Sequence, residues 1–274
     1  MSGLRSSYYQ RLSCGFTLIE LLIALVVGSI IAIVSVRFVS ESGRMLLDSG
    51  ARQQLAATAA IISEKISRQL RPALPGSIRV TADGRCVEYI PVTAASVYTD
   101  LALNTPVSSF SVVPVSASQN HSGYAVIYPV NQNELYQPAA RGALTQATAV
   151  LPAGNAEVVV SLSSAHEFSA DSPLRRFYLV GSPQAICQQG NFLYHFRDYG
   201  FIANVNALAD FLPSSQADGR DVLAFPLQNN SLNFSYQPQT LQRNGLVTFS
   251  YVLESPASAD QLQQTQEVQI RNVP

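Results

Sequence analysis

The sequence predicts an α+β protein in which a long N-terminal transmembrane spine helix packs, along its distal half, against an antiparallel β-sheet head. Three observations predict this class. Residues 16–36 form an apolar run interrupted by a single carboxylate, Glu20. Good helix formers then continue without proline to Leu70. Beyond Gly76 the periodicity changes to short alternating segments separated by Pro, Gly, Ser and Asn, which read as strands.

The apolar run, FTLIELLIALVVGSIIAIVSV, is about 31 Å long as a helix and matches a hydrocarbon core of roughly 30 Å. Leu18, Leu21, Leu22, Leu25, Val26, Ile30 and Ile33 cover all of its sides. That all-round apolarity belongs to a spanning helix rather than to one stripe of a soluble protein. Arg5 and Arg11 precede the run, Arg37 and Arg44 follow it, and the remaining chain is rich in Ser, Asn and Gln with Lys65 as its sole lysine. We therefore expect the N-terminus in the cytoplasm and the C-terminal part exported.

The distal helix carries Leu55, Ala59, Ile62, Ile66 and Leu70 at spacings of four, three, four and four, which place them on one face. That face is built to pack. Gly43 and Gly50 weaken the helix before it, and Pro72 and Pro75 stop it. The expected organisation is a basic leader at 1–15, a membrane part of the spine at 16–36, an exported part at 37–71, and a β-rich head at 76–274.

In the head, strands are expected at 86–90, 123–130, 156–162, 176–180, 191–197, 232–237, 246–253 and 267–271. Val247, Phe249, Tyr251 and Leu253 alternate with polar neighbours, as do Leu232, Phe234 and Tyr236, so one face of each strand needs a covering layer. The distal helix stripe supplies part of it. Asn244-Gly245 reads as a tight turn between neighbouring antiparallel strands. Long loops are expected at 131–154 and 204–220.

Charge and motifs exclude several functions. Seventeen basic and eighteen acidic residues give a net charge of −1, and only 13% of residues are charged, so no specific nucleic-acid partner is expected. His121, His166 and His195 stand without metal-ligand spacing, and neither a phosphate-binding glycine loop nor G-x-S-x-G is present. No metal, no cofactor and no catalytic residue is expected, and the chain does not read as an enzyme. Asp218-Gly219-Arg220-Asp221 reads as a turn rather than a calcium loop. The aromatic residues around Phe177-Tyr178 and Phe192-Tyr194-Phe196 suit a core and its cross-strand pairs, with a glycan- or DNA-stacking surface as the alternative.

Cys14-Gly15-Phe16-Thr17-Leu18-Ile19-Glu20 resembles the processing site of type IV prepilins and type II secretion pseudopilins. The resemblance implies cleavage after Gly15 by a prepilin peptidase, N-methylation of Phe16, and an anchor retained in the bacterial inner membrane with a periplasmic head. A carboxylate one turn into an apolar helix calls for a partner, and the new amine of Phe16 would provide one for Glu20. No proline stands between Phe16 and Arg71, which favours a minor over a major subunit. Further along, Cys187, Gly190 and Phe192, then Arg243-Asn244-Gly245-Leu246-Val247 and Val268-Gln269-Ile270-Arg271-Asn272-Val273-Pro274, resemble the MshO family of minor pilin-like proteins of mannose-sensitive haemagglutinin (MSHA) pilus biogenesis. That likeness implies a subunit that initiates or caps a filament, with other minor and major pilins and an inner-membrane assembly platform as partners. A J-type pseudopilin is the nearest alternative, and a membrane-anchored glycan- or DNA-binding module is the alternative of another class. Removal of the leader takes Cys14 with it and leaves Cys86 and Cys187, which are expected to form a disulfide in an exported head; two buried thiols are the other reading.

Overall fold

A computed structural model describes residues 15, 17–240, 243–255 and 260–270. Helix α1, Leu18–Leu70, runs through two compact units, one ending at Arg52 and the other beginning at Gln53. Within the first unit the helix is exposed on almost every side, as its all-round apolar sequence requires of a segment with no protein neighbour. In the second, Leu55, Ala59, Ile62, Ser63, Ile66, Ser67 and Leu70 are buried, and these include every member of the predicted stripe. The helix ends at Leu70, one residue short of the expected 71, with Arg71 and Pro72 in the turn that follows.

The head contains fifteen strands among the described residues: β1 Arg79–Val80, β2 Cys86–Tyr89, β3 Val92–Asp100, β4 Val107–Val112, β5 His121–Val126, β6 Arg141–Gly142, β7 Leu144–Leu151, β8 Val158–Phe168, β9 Arg176–Val180, β10 Gln184–Gln189, β11 Phe192–Phe196, β12 Arg220–Ala224, β13 Asn233–Gln237, β14 Gly245–Glu254 and β15 Gln261–Ile270. They make three sheets. Strands β13-β14-β15 form a meander, and β1-β2-β10-β11-β12 form a five-stranded antiparallel sheet. The third sheet, β4-β3-β9-β5-β7-β8-β6, closes on itself because β4 also pairs with β8, giving a six-stranded barrel with β6 as an added parallel strand.

The distal face of α1 shares one core with both open sheets. Val247, Phe249, Tyr251 and Leu253 of β14, Phe234 of β13, and Val87, Tyr89, Ile186 and Leu193 of the five-stranded sheet are packed with Leu55, Ile62, Ile66 and Leu70. Two polar contacts set the alignment. The Tyr251 hydroxyl donates to the Ala59 carbonyl at 2.7 Å and lies 3.0 Å from Ser63 Oγ, while Lys65 Nζ donates to the Leu223 carbonyl at 2.9 Å.

The barrel has its own core, with Phe110 meeting Phe168 and Phe177 edge-on at 5.9 and 5.4 Å. Gly123 is required where β5 meets β9, since a Cβ there would lie 2.4 Å from the Val180 carbonyl oxygen. Topologically the barrel is an insertion. The chain leaves the five-stranded sheet after β2, builds β3 to β9, and returns as β10, which pairs with β2 directly.

Several expectations are corrected. The segment 131–154 is no loop: it carries a short helix α2, Gln132–Tyr136, capped by Asn131, followed by β6 and β7. Leu144-Thr145-Gln146-Ala147-Thr148-Ala149 has little β propensity, and barrel closure overrides that local weakness. The segment 204–220 contains a 3-10 turn at Val205–Asp210 and is otherwise irregular before β12. Strand β8 runs six residues beyond the expected end, and β15 begins six residues before the expected start; Arg271 lies outside the described residues. The strands flanking Asn244-Gly245 do pair as β13 and β14, but Gly245 is the first residue of β14 rather than a turn residue. An added Cβ at Gly245 would lie 3.2 Å from the Tyr236 hydroxyl, so close packing accounts for this glycine.

Candidate functional site

The sequence motif lies at the start of α1. Gly15 is exposed with open space around it, and Phe16 is outside the described residues. Thr17 caps the helix: its Oγ1 accepts the Glu20 backbone N–H at 3.3 Å, while Glu20 Oε2 accepts the Thr17 N–H in a long contact of 3.5 Å. This reciprocal pattern is a capping box, Thr-x-x-Glu, and it satisfies donors that the first turn of a helix leaves open. Thr17 is thus a helix cap that the sequence reading did not single out; the spacing of Thr17 and Glu20 is its signal. Glu20 is exposed on an apolar helix, and among the described residues its carboxylate bonds within its own first turn.

The helix that bears this site is long and apolar enough to cross a membrane, and none of its most apolar stretch is buried. That composition supports single-pass membrane anchoring.

Cys86 and Cys187 lie opposite each other on β2 and β10, with Cα atoms 4.2 Å apart, and are joined as a disulfide. Gln188 N–H donates to the Arg85 carbonyl beside them, so the cysteines occupy a close, non-hydrogen-bonded pair of the ladder. The bridge joins the two strands between which the barrel is inserted.

On the same outer face of this sheet, Glu88 is fully buried and paired with Arg79 across β1 and β2. The Tyr199 hydroxyl donates to the other Glu88 oxygen at 3.0 Å. Arg79 also donates to the Ala203 carbonyl at 2.9 Å and to that of Ile202, and its guanidinium lies 3.4 Å from the ring centre of Tyr136. Burial pushes the Glu88 carboxyl up, with Arg79 and Tyr199 pulling it back. Burial likewise holds Tyr199 and Tyr136 well above the ordinary phenol value, so both stay neutral donors. Each guanidinium nitrogen of Arg79 donates a hydrogen bond, and the arrangement is a clamp between α2, β1 and the 202–203 loop rather than a reactive centre.

The histidines do not converge. His166 Nε2 is 3.0 Å from the Gly142 carbonyl, its Nδ1 has no partner, and burial lowers its pKa. His195 Nε2 is 3.0 Å from Gln184 Oε1 and 3.3 Å from the Tyr89 hydroxyl, and burial lowers its pKa also. Asp198, three residues from His195 in sequence, lies beyond β11 in a left-handed turn with φ 63°. In the 218–221 stretch, Asp218 accepts from Ser215 at 2.6 Å and Asp221 pairs with Arg197 at 2.9 Å. Among the described residues no group of three or more His, Cys, Asp or Glu side chains could hold a metal ion.

Of the aromatic candidates, Phe177 is in the barrel core, whereas Phe192 and Phe225 stack at 4.4 Å and remain exposed to 36% and 55%. Tyr194 extends the stack at 5.7 Å from Phe192, with Arg220 over its ring.

A family model described as the prokaryotic N-terminal methylation motif matches residues 10–36. No curated protein and no solved structure matches the chain at a significant level. The motif, the apolar helix that follows it and the β head packed on that helix's distal half together form a pilin-like α+β architecture, consistent with the broad pilin and pseudopilin superfamily.

Proposed function

We propose that this chain is a minor pilin-like subunit that helps to initiate or cap assembly of a type IV filament of the MSHA type. The observation that carries the reading is the methylation motif matched over residues 10–36, placed on a helix whose distal turns are the central core element of a β head. On this reading a prepilin peptidase cuts after Gly15, the new amine of Phe16 is methylated, and Glu20 exchanges its capping contact with Thr17 for that amine or for a neighbour's. In a low-dielectric bundle of spines an unpaired Glu20 would be costly, so pairing selects correctly seated subunits. Other minor and major pilins and an inner-membrane assembly platform are the partners, and the head faces the periplasm. A J-type pseudopilin of type II secretion shares all of these features and is the runner-up. The exposed Phe192–Phe225 stack favours a second reading, a membrane-anchored module binding a glycan or DNA.

N-terminal mass spectrometry of the protein isolated from membranes tests the first reading. The expected mature start is methylated Phe16, and a Glu20→Val variant is expected to be processed normally yet to fail in a pilus-reconstitution assay. An intact Met1 start in a chain that binds ligand by itself supports the module instead.

A further inference from the structure

We propose that the head carries a binding site for a small neutral saccharide, in the cavity bounded by β1, β13, α2 and the segment 203–205. The inference does not rest on the filament reading, and the cavity shares no lining residue with the Phe192–Phe225 stack.

The cavity arises because two strand edges meet at their ends and part between them. Among the described residues β1 is the outer strand of the five-stranded sheet and β13 the outer strand of the meander. At one end the Phe234 N–H donates to the Gly84 carbonyl at 2.7 Å. At the other, Gly76 and Gln239 approach so closely that a Cβ on Gly76 would lie 3.1 Å from Gln239 Nε2. Between these contacts Ile78, Val80 and Tyr236 border a space of about 650 Å³, and Gln132 and Leu135 of α2 with Asn204 complete its wall. A volume of that order is typical of small-molecule sites.

The chemistry of the wall selects the ligand. Arg79 is the one charged side chain in the described lining, and it is paired with Glu88 while each of its guanidinium nitrogens already donates a hydrogen bond. An anion therefore meets no net charge, and the lining offers no carboxylate, imidazole or thiol to a metal ion. The other polar groups are neutral, and the protein's own bonds set their roles. Gln132 Nε2 donates to the Gly76 and Ile78 carbonyls at 3.1 and 2.6 Å, which uses both of its protons and leaves Oε1 to accept. The Tyr236 hydroxyl donates to Gln239 Oε1 at 2.6 Å, so the Tyr236 oxygen accepts and Gln239 offers its Nε2. Asn204 Oδ1 accepts the Asn206 N–H at 3.0 Å, so Nδ2 is its donor.

Acceptors at Gln132 and Tyr236 and donors at Gln239 and Asn204 are thus oriented before any ligand arrives, which lowers the ordering cost of binding. Neighbouring sugar hydroxyls, each able to give one hydrogen bond and accept others, match such a mixed set. Pro129, Val130 and Pro238 lie beside these groups and suit the C–H faces of a sugar ring.

Saturation-transfer NMR on the full chain tests the proposal, with the protein in lauryldimethylamine oxide so that no glycoside detergent competes. The probes are maltose, cellobiose, lactose and N,N′-diacetylchitobiose, and at least one is expected to bind. Asn204→Ser keeps an oxygen for the cap but removes Nδ2, and Gln239→Leu removes the second donor; each is expected to weaken binding roughly tenfold. The two changes lie on different segments, so a folding defect in one, seen by near-ultraviolet dichroism, leaves the other to decide. Phe225→Ala is expected to leave binding unchanged. Failure of all four sugars to bind, undiminished binding in the folded cavity variants, or loss of binding in Phe225→Ala overturns the proposal.

Discussion

At Glu88 the head places a carboxylate wholly out of water, and what surrounds it explains why that is tolerated. Arg79 supplies the opposite charge, Tyr199 supplies a neutral donor, and the backbone carbonyls of residues 202 and 203 each accept from one of the two terminal guanidinium nitrogens. A buried pair of this kind adds little net stability compared with apolar residues of the same volume, but breaking it leaves a charge stranded in low dielectric. Glu88→Ala is therefore expected to destabilise the head by about 3–5 kcal/mol. The double change Arg79→Leu with Glu88→Leu should cost markedly less. Urea unfolding of the detergent-solubilised chain, followed by tyrosine near-ultraviolet dichroism, measures both; equal losses would show that shape rather than stranded charge governs the site. The pair was not readable beforehand. Arg79 and Glu88 are nine residues apart, and they meet only because β1, two residues long, turns back on β2. The Thr17–Glu20 box, by contrast, is written in adjacent residues and needed only its three-residue spacing to be recognised.

The elements divide in the same way. The distal stripe of α1 was legible because helical periodicity is local, and each of its five residues is buried. The alternation in β14 was equally plain, since Val247, Phe249, Tyr251 and Leu253 face inward with Thr248 and Ser250 between them on the other face. Strands β3, β4 and β7 were hidden. Val92-Thr93-Ala94-Ala95-Ser96-Val97 and Leu144-Thr145-Gln146-Ala147 use small side chains inside a narrow barrel, so the apolar signal of an inward position almost vanishes. What makes them strands is the closure of β4 on β8, a non-local event. On the helix, Ile66 is fully buried among residues from both open sheets. Ile66→Ala is expected to cost about 2–5 kcal/mol, whereas Ile61→Ala on the exposed side should change stability by less than about 0.5 kcal/mol. The same unfolding measurement separates them. Similar losses at both positions would mean that the exposed face of the distal helix is also covered.

For the molecule as a whole, the decisive feature is that a barrel of its own core hangs between two strands that are themselves paired for only four residues, Cys86–Tyr89 with Gln184–Cys187. Four pairs are a short root for so large an insertion, and the Cys86–Cys187 bridge closes it at a sequence separation of 101. In the chain-entropy account a loop of that size contributes about 4.7 kcal/mol, with measured losses for small exported domains of about 2–5 kcal/mol. Because the bridge lies in the five-stranded sheet rather than in the barrel, its removal should loosen the root first. Hydrogen exchange of a Cys86→Ser, Cys187→Ser chain is expected to show faster exchange in β2, β10 and the Arg79 clamp, with β5 and β9 of the barrel retaining protection. Thiol labelling of the mature, denatured, non-reduced protein should find no reactive cysteine. Two reactive cysteines there, or loss of barrel protection in step with the root, would mean that the head is held by its cores alone and that the bridge has no part in seating the insertion.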